Sequence, residues 1–465
     1  MRDITFVSPP FLGHLTQILA LAENLAARGH VVHVVTSHTR EQEVREAGAK
    51  LIPWEIGDDG EALAAVWRHA TRAPAWAGER IMLSYLVERY DSIYESLRKP
   101  LLARRGDIFV FDRALIPAMD LAFSEGMPFL ILSRALGGVH GASWKYPLPY
   151  SSLPYPMTPP WRVLNAALRV WHIGVFLAPL LQLWAKRRAK NRALGAYNPF
   201  KAAPVIVGNG PLLELNQPVP GNIRLVGPIL ARKVKTAGRD LTHWLDARSK
   251  VVYVAFGTLA ILTESQLESW CSGLLRTGFH ILWAAPGQNF EVLKDVILPR
   301  LSRADRSRLR VERFVPQQQV LEHPSVSVFV THASPNGVME ALNAGKPMVA
   351  APMFGDQCYF AARVEELGVG ARIGKTQMRP AVITSTVRRV VETRSYARAA
   401  LAARAALRPL DGLGEAMKLI EAELTTNGQG LAAATAGINA PLATPVAVSY
   451  SLSDLGPLTN GLSRR

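Results

Sequence analysis

The chain has 465 residues, nearly half of them apolar, and carries a net charge of +16 at pH 7. This length allows two domains of ordinary size, and the only cysteines, Cys271 and Cys358, exclude a disulfide framework and make a reducing, cytoplasmic compartment the expectation. The basic residues are spread widely and no RNA-binding, zinc-finger or helix-turn-helix signature appears, so we expect a solvated basic surface and no nucleic-acid partner.

Strands and helices alternate through the first half of the chain. The sequence starts almost at once with a strand, DITFVSP, without the basic and apolar regions of a signal peptide. A loop containing His14, a helix that ends at Gly29 and a second strand, HVVHVVTS, follow it. Amphipathic helices at 61–105, a strand at 107–112, a helix and the strand PFLILS continue the series. This order predicts an α/β fold with a parallel sheet covered on both faces.

The alternating pattern breaks between residues 140 and 200. Prolines exclude regular structure through much of 145–160, and aromatic residues are dense. An irregular aromatic segment in an α/β domain often lines a pocket for an apolar ligand, although a packed subdomain without a ligand fits equally well. The residues that we predict to contact such a ligand, including two outside this segment, are Phe11, Trp144, Tyr146, Trp171, Phe176 and Phe354.

An apolar stretch at 163–185 lies in the same region. Asn165, Arg169, His172 and Gln182 interrupt it, which favours a buried or interfacial helix over a membrane span. The Trp-rich, basic surroundings at 161–192 suggest a peripheral membrane contact as an additional partner.

A second alternating series starts at the strand KVVYVAF and continues to residue 394. Two α/β domains in tandem place a cleft between them. The predicted divisions are a first domain, a polar linker, a second domain, closing helices and a low-complexity tail that is poorly ordered or loosely attached, at 1–231, 232–249, 250–394, 395–424 and 425–465.

The segment from Phe314 to Gln357 is the most informative part of the second domain. Its buried strand, VSVFVT, is followed by HASPN and a helix. Backbone N–H groups and the dipole at a helix N-terminus attract anions, and this loop contains His332 and Asn336. On its own, the loop would be better explained as one that only caps its helix.

The 44 residues at 314–357 resemble the donor-binding signature of the UDP-glycosyltransferase superfamily in its plant form. The resemblance implies the inverting GT-B architecture, with two Rossmann-like domains and a last helix that crosses back to the first domain. It implies that the second domain binds the donor. The implied contacts are Phe314 and Val315 for the base, Gln317 and Glu340 for the ribose, His332, Asn336 and Gly337 for the diphosphate, and Asp356 and Gln357 for the sugar.

Two residues depart from the usual pattern of that family. Phe314 stands where the family usually has Trp, which keeps a stacking face with less area. Ser334 stands where glycine is usual, and it adds a Cβ and a hydroxyl donor to the donor-binding loop. We expect these changes to affect donor affinity and nucleotide preference more than reaction class.

His14 is the candidate general base and Asp112 its orienting carboxylate. Both follow the carboxyl ends of predicted parallel strands, where open α/β sheets bind ligands. A neutral His paired with a carboxylate is suited to removing a hydroxyl proton near neutral pH. From position alone, His14 could merely begin a helix and Asp112 could cap one; the opening segment resembles that of the same family, in which the Gly-His histidine is the base and a strand-end Asp its partner.

Gly257 and Thr258 follow the first strand of the second domain and can contact a phosphate, or form only a capped turn. No Asp-x-Asp motif or His/Cys cluster with metal spacing appears, so we expect no metal and no cofactor beyond the nucleotide sugar. The sequence thus favours transfer of a hexose, most simply glucose from UDP-glucose, to a hydroxyl of a hydrophobic small molecule with inversion. A non-catalytic nucleotide-sugar-binding protein and an epimerase or hydrolase on the same fold are the alternatives.

Overall fold

The computed structural model describes residues 1–425 apart from 56–59, 105, 138, 140–142, 149–150, 211 and 231–236. The predicted tail therefore lies outside the described residues, except for its first residue, which ends the last helix. The first part of the predicted linker also lies outside them.

Within the described residues, seven parallel strands form the sheet of the first domain in the order β3-β2-β1-β4-β5-β6-β7. Their buried runs of Val, Ile, Leu and Phe are typical of a sheet covered on both faces. The strands are β1 Asp3–Val7, β2 Val31–Thr36, β3 Lys50–Pro53, β4 Ile108–Asp112, β5 Phe129–Ser133, β6 Val205–Val207 and β7 Ile223–Leu225.

Six parallel strands among the described residues form the second sheet, in the order β10-β9-β8-β11-β12-β13. The first two strands of this sheet in chain order, β8 and β9, pair directly, and β11 pairs with the other edge of β8. They are β8 Val251–Ala255, β9 His280–Ala284, β10 Leu309–Glu312, β11 Val326–Thr331, β12 Met348–Ala350 and β13 Gly370–Arg372.

Helices connect the strands and cover both sheets. In the first domain they are α1 Leu12–Ala27, α2 Glu41–Glu46, α3 Gly60–Arg72, α4 Ala75–Glu88, α5 Tyr90–Leu102, α6 Ile116–Ser124, α7 Pro159–Lys190 and α8 Pro199–Ala202. Those that follow are α9 Arg239–Asp246, α10 Glu264–Leu275, α11 Gln288–Glu291, α12 Leu298–Arg300, α13 Arg303–Arg308, α14 Gln317–Glu322, α15 Pro335–Ala344, α16 Gln357–Glu366, α17 Pro380–Glu392, α18 Arg394–Leu407 and α19 Gly412–Thr425.

The segment predicted as a polar linker, 232–249, contains helix α9. Its Leu241 and Leu245 are buried against the core of the second domain, beside Val251 and Tyr253. The spacing of four residues between the two leucines puts them on one helix face, which a reading of the segment as polar overlooked. The second domain therefore begins by residue 239.

The chain returns to the first domain through α19, as the resemblance implied, whereas α18 packs in the core of the second domain through Ala400, Ala403 and Leu407. Leu413, Met417 and Ile420 of α19 are buried in the core formed by β1, β2 and α1. Arg28, the C-cap of α1, also pairs with Glu421 at 2.8 Å. This crossing connects the two domains covalently and through a shared core, with the carboxyl ends of both sheets facing one cleft.

Helix α7 is 32 residues long and packs on the outer surface of the first domain through α4 and α5. By length and composition, it is the one helix of the described residues that could cross a membrane. Only 17% of its most apolar 18-residue stretch is buried inside the protein. The prediction of an interfacial helix at 163–185 therefore fits an observed element whose outer face is exposed.

Candidate active site

The cleft between the domains holds a cavity of about 1270 Å³. Residues of both domains line it, including Phe11 and His14 from the first and His332, Glu340 and Asp356 from the second. A cavity of this size can hold a nucleotide sugar together with a second small molecule, since ligand cavities are commonly 300–1,000 Å³ in volume.

His14 and Asp112 meet at the cleft, as predicted from the sequence. The imidazole Nδ1 lies 2.9 Å from both carboxylate oxygens of Asp112, which is 3% exposed. Asp112 ends β4 and also accepts a hydrogen bond from the backbone N–H of Ala114 at 2.8 Å. The pairing fixes the ring so that Nδ1–H donates to Asp112 and Nε2 carries the lone pair.

Arg134 occupies the other side of the imidazole. It follows directly on β5, and its Nη2 donates to His14 Nε2 at 3.0 Å. Its Nε is buried and finds no hydrogen-bond partner among the described residues. A substrate hydroxyl that binds to Nε2 therefore has to share or take the position of this guanidinium nitrogen.

The surroundings favour the neutral form of His14. Burial is the largest cause that lowers the pKa of His14, the charge of Arg134 lowers it further, and Asp112 acts in the opposite direction. Although burial opposes ionisation of Asp112, the charge and hydrogen bond of His14 hold the pKa of that carboxyl below its ordinary value. The pair is thus a neutral imidazole beside an ionised carboxylate at pH 7.

Gly257 and His332 meet where β8 and β11 end. Gly257 has φ +74°, and a Cβ at this position would lie 2.7 Å from the His332 ring. Glycine is therefore required both for the backbone conformation and for the close approach of the imidazole. Burial lowers the pKa of His332 to about 4, so this imidazole is neutral at pH 7 and acts on an anion as a hydrogen-bond donor rather than as a charge.

In the loop before α15, Ser334 does not occupy the backbone conformation that favours glycine. The left-handed residue is Ala333, with φ +63°, whereas Ser334 is extended at φ −65° and ψ 150°. Ser334 is the N-cap of α15, and its hydroxyl accepts from the backbone N–H of Gly337 at 3.3 Å. Serine therefore suits its position without strain, and the conformational demand that favours glycine falls one residue earlier.

The side chain of Asn336 connects the two domains. Its Nδ2 donates to the backbone carbonyl of Gly13, the neighbour of His14, at 2.9 Å, and its Oδ1 accepts from Gln17 at 3.3 Å. A contact between Asn336 and a diphosphate would therefore use its backbone N–H at the start of α15, or would require this bridge to open.

The residues predicted for the nucleoside lie at one end of the cavity. Gln317 donates to the carboxyl of Glu340 and accepts from the Tyr253 hydroxyl at 3.0 Å. Burial raises the pKa of Glu340 to about 7. Phe314 is 62% exposed and so presents a face on which a base could stack, and Val315 is buried.

Asp356 and Gln357 begin α16 at the opposite end. The Gln357 Oε1 accepts from the backbone N–H groups of Met353 and Phe354 at 2.8 and 3.2 Å, which leaves its amide nitrogen to donate to a ligand. Arg113, from the first domain, lies 3.5 Å from the Asp356 carboxylate. This ion pair joins the predicted sugar site to the loop that follows Asp112.

Glu79 on α4 is a second buried carboxyl in this region, and it lines the cavity. Burial and the neighbouring charge of Asp356 raise the pKa of Glu79 to about 7. No sequence signal marked this residue, because an isolated Glu in an amphipathic helix reads as part of its solvated face. Arg134 could have been found, since it follows a strand adjacent to β4 at the same sheet edge.

Three aromatic rings form one wall of the cavity next to the base. Phe11 lies 5.8 Å from the His14 ring and 5.6 Å from Trp67, and Trp67 lies 5.9 Å from Phe354, between ring centroids. The buried Trp67 Nε1 finds no hydrogen-bond partner among the described residues. Phe11 and Phe354 were predicted to contact an apolar ligand, whereas Trp67 was not.

The other four aromatic side chains that the sequence predicted to contact an apolar ligand are not among those that line the main cavity, and Tyr146 lines a smaller pocket beside Asp356. Trp171 packs edge-on against Trp76 at 4.8 Å, and Phe176 is buried on the inner face of α7. Trp144 is 56% exposed, and the Tyr146 hydroxyl donates to the Asn216 carbonyl at 3.0 Å. The aromatic density at 140–200 thus belongs to a packed subdomain and an outer surface.

Comparisons with known proteins agree with this geometry. Residues 200–427 match the family model described as "UDP-glucoronosyl and UDP-glucosyl transferase". Over 423 residues the chain is 29% identical to a gallate 1-beta-glucosyltransferase of Quercus robur, covering 82% of this chain and 79% of that protein. A cinnamate beta-D-glucosyltransferase of Fragaria ananassa is 28% identical over 415 residues, covering 80% and 71%.

Solved structures show the same fold at low identity. The crystal structure of Os79 from O. sativa in complex with U2F and trichothecene superimposes with a TM-score of 0.68, at 19% identity, over 91% of this chain and 100% of that one. The two facing parallel sheets are thus arranged in the GT-B architecture, as the sequence predicted.

Proposed function

Because the chain belongs to the UDP-glycosyltransferase superfamily and is a glycosyltransferase that uses a UDP-sugar, we propose that it transfers a hexose to a hydroxyl of a hydrophobic small molecule with inversion. Glucose from UDP-glucose is the favoured donor, because two relatives that match four fifths of this chain are named as glucosyltransferases. The observation that carries the proposal is the His14–Asp112 pair facing the loop of His332 across the cleft.

In the proposed reaction, His14 Nε2 takes the acceptor proton while the acceptor oxygen attacks the anomeric carbon. The bond from that carbon to the phosphate oxygen breaks, and UDP leaves with the electron pair. Asp112 stabilises the imidazolium that forms and holds the ring in place. Attack from the side opposite UDP inverts the anomeric centre, since one displacement occurs on one carbon.

The donor contacts are part of the same proposal. The backbone N–H groups at the start of α15, the neutral His332 and the loop of Gly257 and Thr258 would receive the diphosphate. Gln317 and Glu340 would hold the ribose, Phe314 would stack on the base, and the sugar would lie against Asp356 and the Gln357 amide. Metal independence and a cytoplasmic location are further parts of the proposal, and the former predicts transfer that a chelator does not reduce.

The acceptor would lie against Phe11, Trp67 and Phe354, with its hydroxyl towards His14. This wall is apolar and fits a flat or cyclic molecule. The test is a mass-spectrometric screen of several nucleotide sugars against a mixed panel of hydrophobic hydroxyl compounds, with the anomeric configuration of each product read by NMR.

A retained anomeric configuration would contradict single displacement. Donor binding without turnover on any acceptor would favour the non-catalytic binding protein, and sugar release at the same rate without acceptor would favour a hydrolase.

Arg134 favours a second candidate, transfer to a carboxylate. A guanidinium next to His14 could bind the carboxylate of an aromatic acid, and the two relatives named above are called gallate and cinnamate glucosyltransferases. The product would then be a sugar ester, formed without loss of a hydroxyl proton. Including aromatic acids and their esters in the same screen separates the candidates, because only the sugar ester releases its sugar in mild alkali.

A further inference from the structure

One face of α7 is exposed and almost entirely apolar. Its exposed side chains include Val163, Val170, Ile173, Leu177 and Leu181, between 49% and 73% exposed. Trp184 stands at one end of this face, 44% exposed, and Trp161, in the first turn of the helix but on another side of it, is 42% exposed. At 1.5 Å per residue the face from Val163 to Trp184 is about 32 Å long, and a continuous apolar surface of this kind marks an interaction site.

The opposite face holds α7 on the first domain. Asn165 and Phe176 are buried, and Asn165 hydrogen-bonds to the loop at 144–148. Arg187 forms a bidentate pair with the buried Asp120 at 2.7 and 2.8 Å. A helix that crossed a bilayer would have to break these contacts, so the geometry fits a helix that lies along a surface rather than one that spans it.

Charge decides between the partners that could cover this face. Residues 159–190 contain six Lys or Arg and no Asp or Glu, and three of the six, Lys186, Arg187 and Lys190, pair with acidic residues of α5 and α6. Arg162 flanks one end of the face, and Arg188, whose guanidinium lies over Trp184 at 5.3 Å, flanks the other. Two copies paired through this face, in either direction, would bring basic ends together. An anionic lipid headgroup layer would instead complement them, with Trp184 at the interface and the arginines reaching the headgroups.

We propose that the exposed face of α7 docks the enzyme peripherally on an anionic lipid bilayer, with Leu177 and Leu181 inserted among the acyl chains. The docking does not depend on the identity of the acceptor or on catalysis. Because α4 contacts α7 on one side and lines the cavity through Glu79 on the other, the docked enzyme would hold its cleft close to the membrane surface.

Vesicle co-sedimentation of the full chain tests this proposal. The wild type should pellet with vesicles of phosphatidylcholine and phosphatidylglycerol, at least tenfold less with phosphatidylcholine alone, and high salt should release it. Leu181→Glu should reduce the partition at least tenfold. Leu401→Glu on α18 is the matched control, since Leu401 is 55% exposed and Leu181 is 56% exposed, and it should pellet like the wild type.

Unfolding midpoints and donor binding of both variants establish that they are folded, which keeps the comparison independent of the proposed reaction. A wild type that stays in the supernatant, or a Leu181→Glu variant that pellets fully, would overturn the proposal. A wild-type dimer that Leu181→Glu converts to a monomer would assign the face to a second copy instead. Binding released only by detergent would indicate a spanning helix.

Discussion

Replacing Arg134 by Gln should raise the pKa of His14, because the change removes a positive charge and keeps a hydrogen-bond donor. Arg134 Nη2 lies 3.0 Å from His14 Nε2, and the centres of the two charges would be about 5 Å apart. At an effective dielectric constant of about 20, their repulsion is about 3 kcal/mol. Since Asp112 attracts both groups, the net rise in the pKa of His14 should be smaller than this repulsion alone would give.

The sign of the effect on activity follows from the role of His14 as a base. A higher pKa means that His14 becomes protonated, and inactive as a base, at a higher pH. The acid limb of kcat/KM against pH should therefore move upward in Arg134→Gln by the same amount. Arg300→Gln, on the surface beside Glu264 and Glu268, is the control and should leave the limb in place. An unmoved or lowered acid limb in Arg134→Gln would refute the reasoning.

Three further predictions concern the cleft. Asp112→Asn should lower kcat by about 10³ to 10⁴, measured at saturating substrates, since the amide favours the wrong tautomer of the base; a decrease of less than tenfold would remove Asp112 as orienting group. Gly257→Ala should reduce the free energy of unfolding by about 1–3 kcal/mol in denaturant titrations, because the new Cβ meets His332 at φ +74°; an unchanged midpoint would contradict this clash. Trp67→Phe should raise the acceptor KM about fivefold through loss of the indole N–H, while Trp144→Phe should leave the KM unchanged. The reverse pattern would indicate that the acceptor binds at the 140–200 segment.

The parts of the site that could be predicted from the sequence are those that follow strand ends. Asp112 ends β4, and His14 lies in the first turn of α1, which follows β1; since β1 and β4 pair directly, the approach of the two side chains follows from the parallel order of the strands. The alternation of buried strands with helices predicted both sheets for the same reason. The positions of residues at strand ends can be predicted from the sequence, because the register of the parallel sheet determines where they lie.

Residues on helices that pack over the sheet edge could not be predicted in this way. Glu79 and Trp67 reach the cavity only because α3 and α4 lean across it, and helical periodicity does not tell which exposed face meets another domain. For the same reason, the density of aromatic residues at 140–200 did not indicate which of them line the cavity, since Trp171 packs against Trp76 outside the cleft. The sequence also suggested that Ser334 stands at a position that needs the conformational freedom of glycine, whereas the left-handed backbone conformation belongs to the preceding residue, Ala333.

The central claim, that His14 is the base of a transferase, is tested most directly by His14→Ala, with transfer and donor binding measured on the same preparation. We expect transfer at saturating substrates to fall by about 10² to 10⁴, the usual range for loss of a general base, while calorimetry gives an unchanged dissociation constant for the UDP-sugar. Full turnover in His14→Ala would contradict the account, because the hydroxyl proton would then leave by another route.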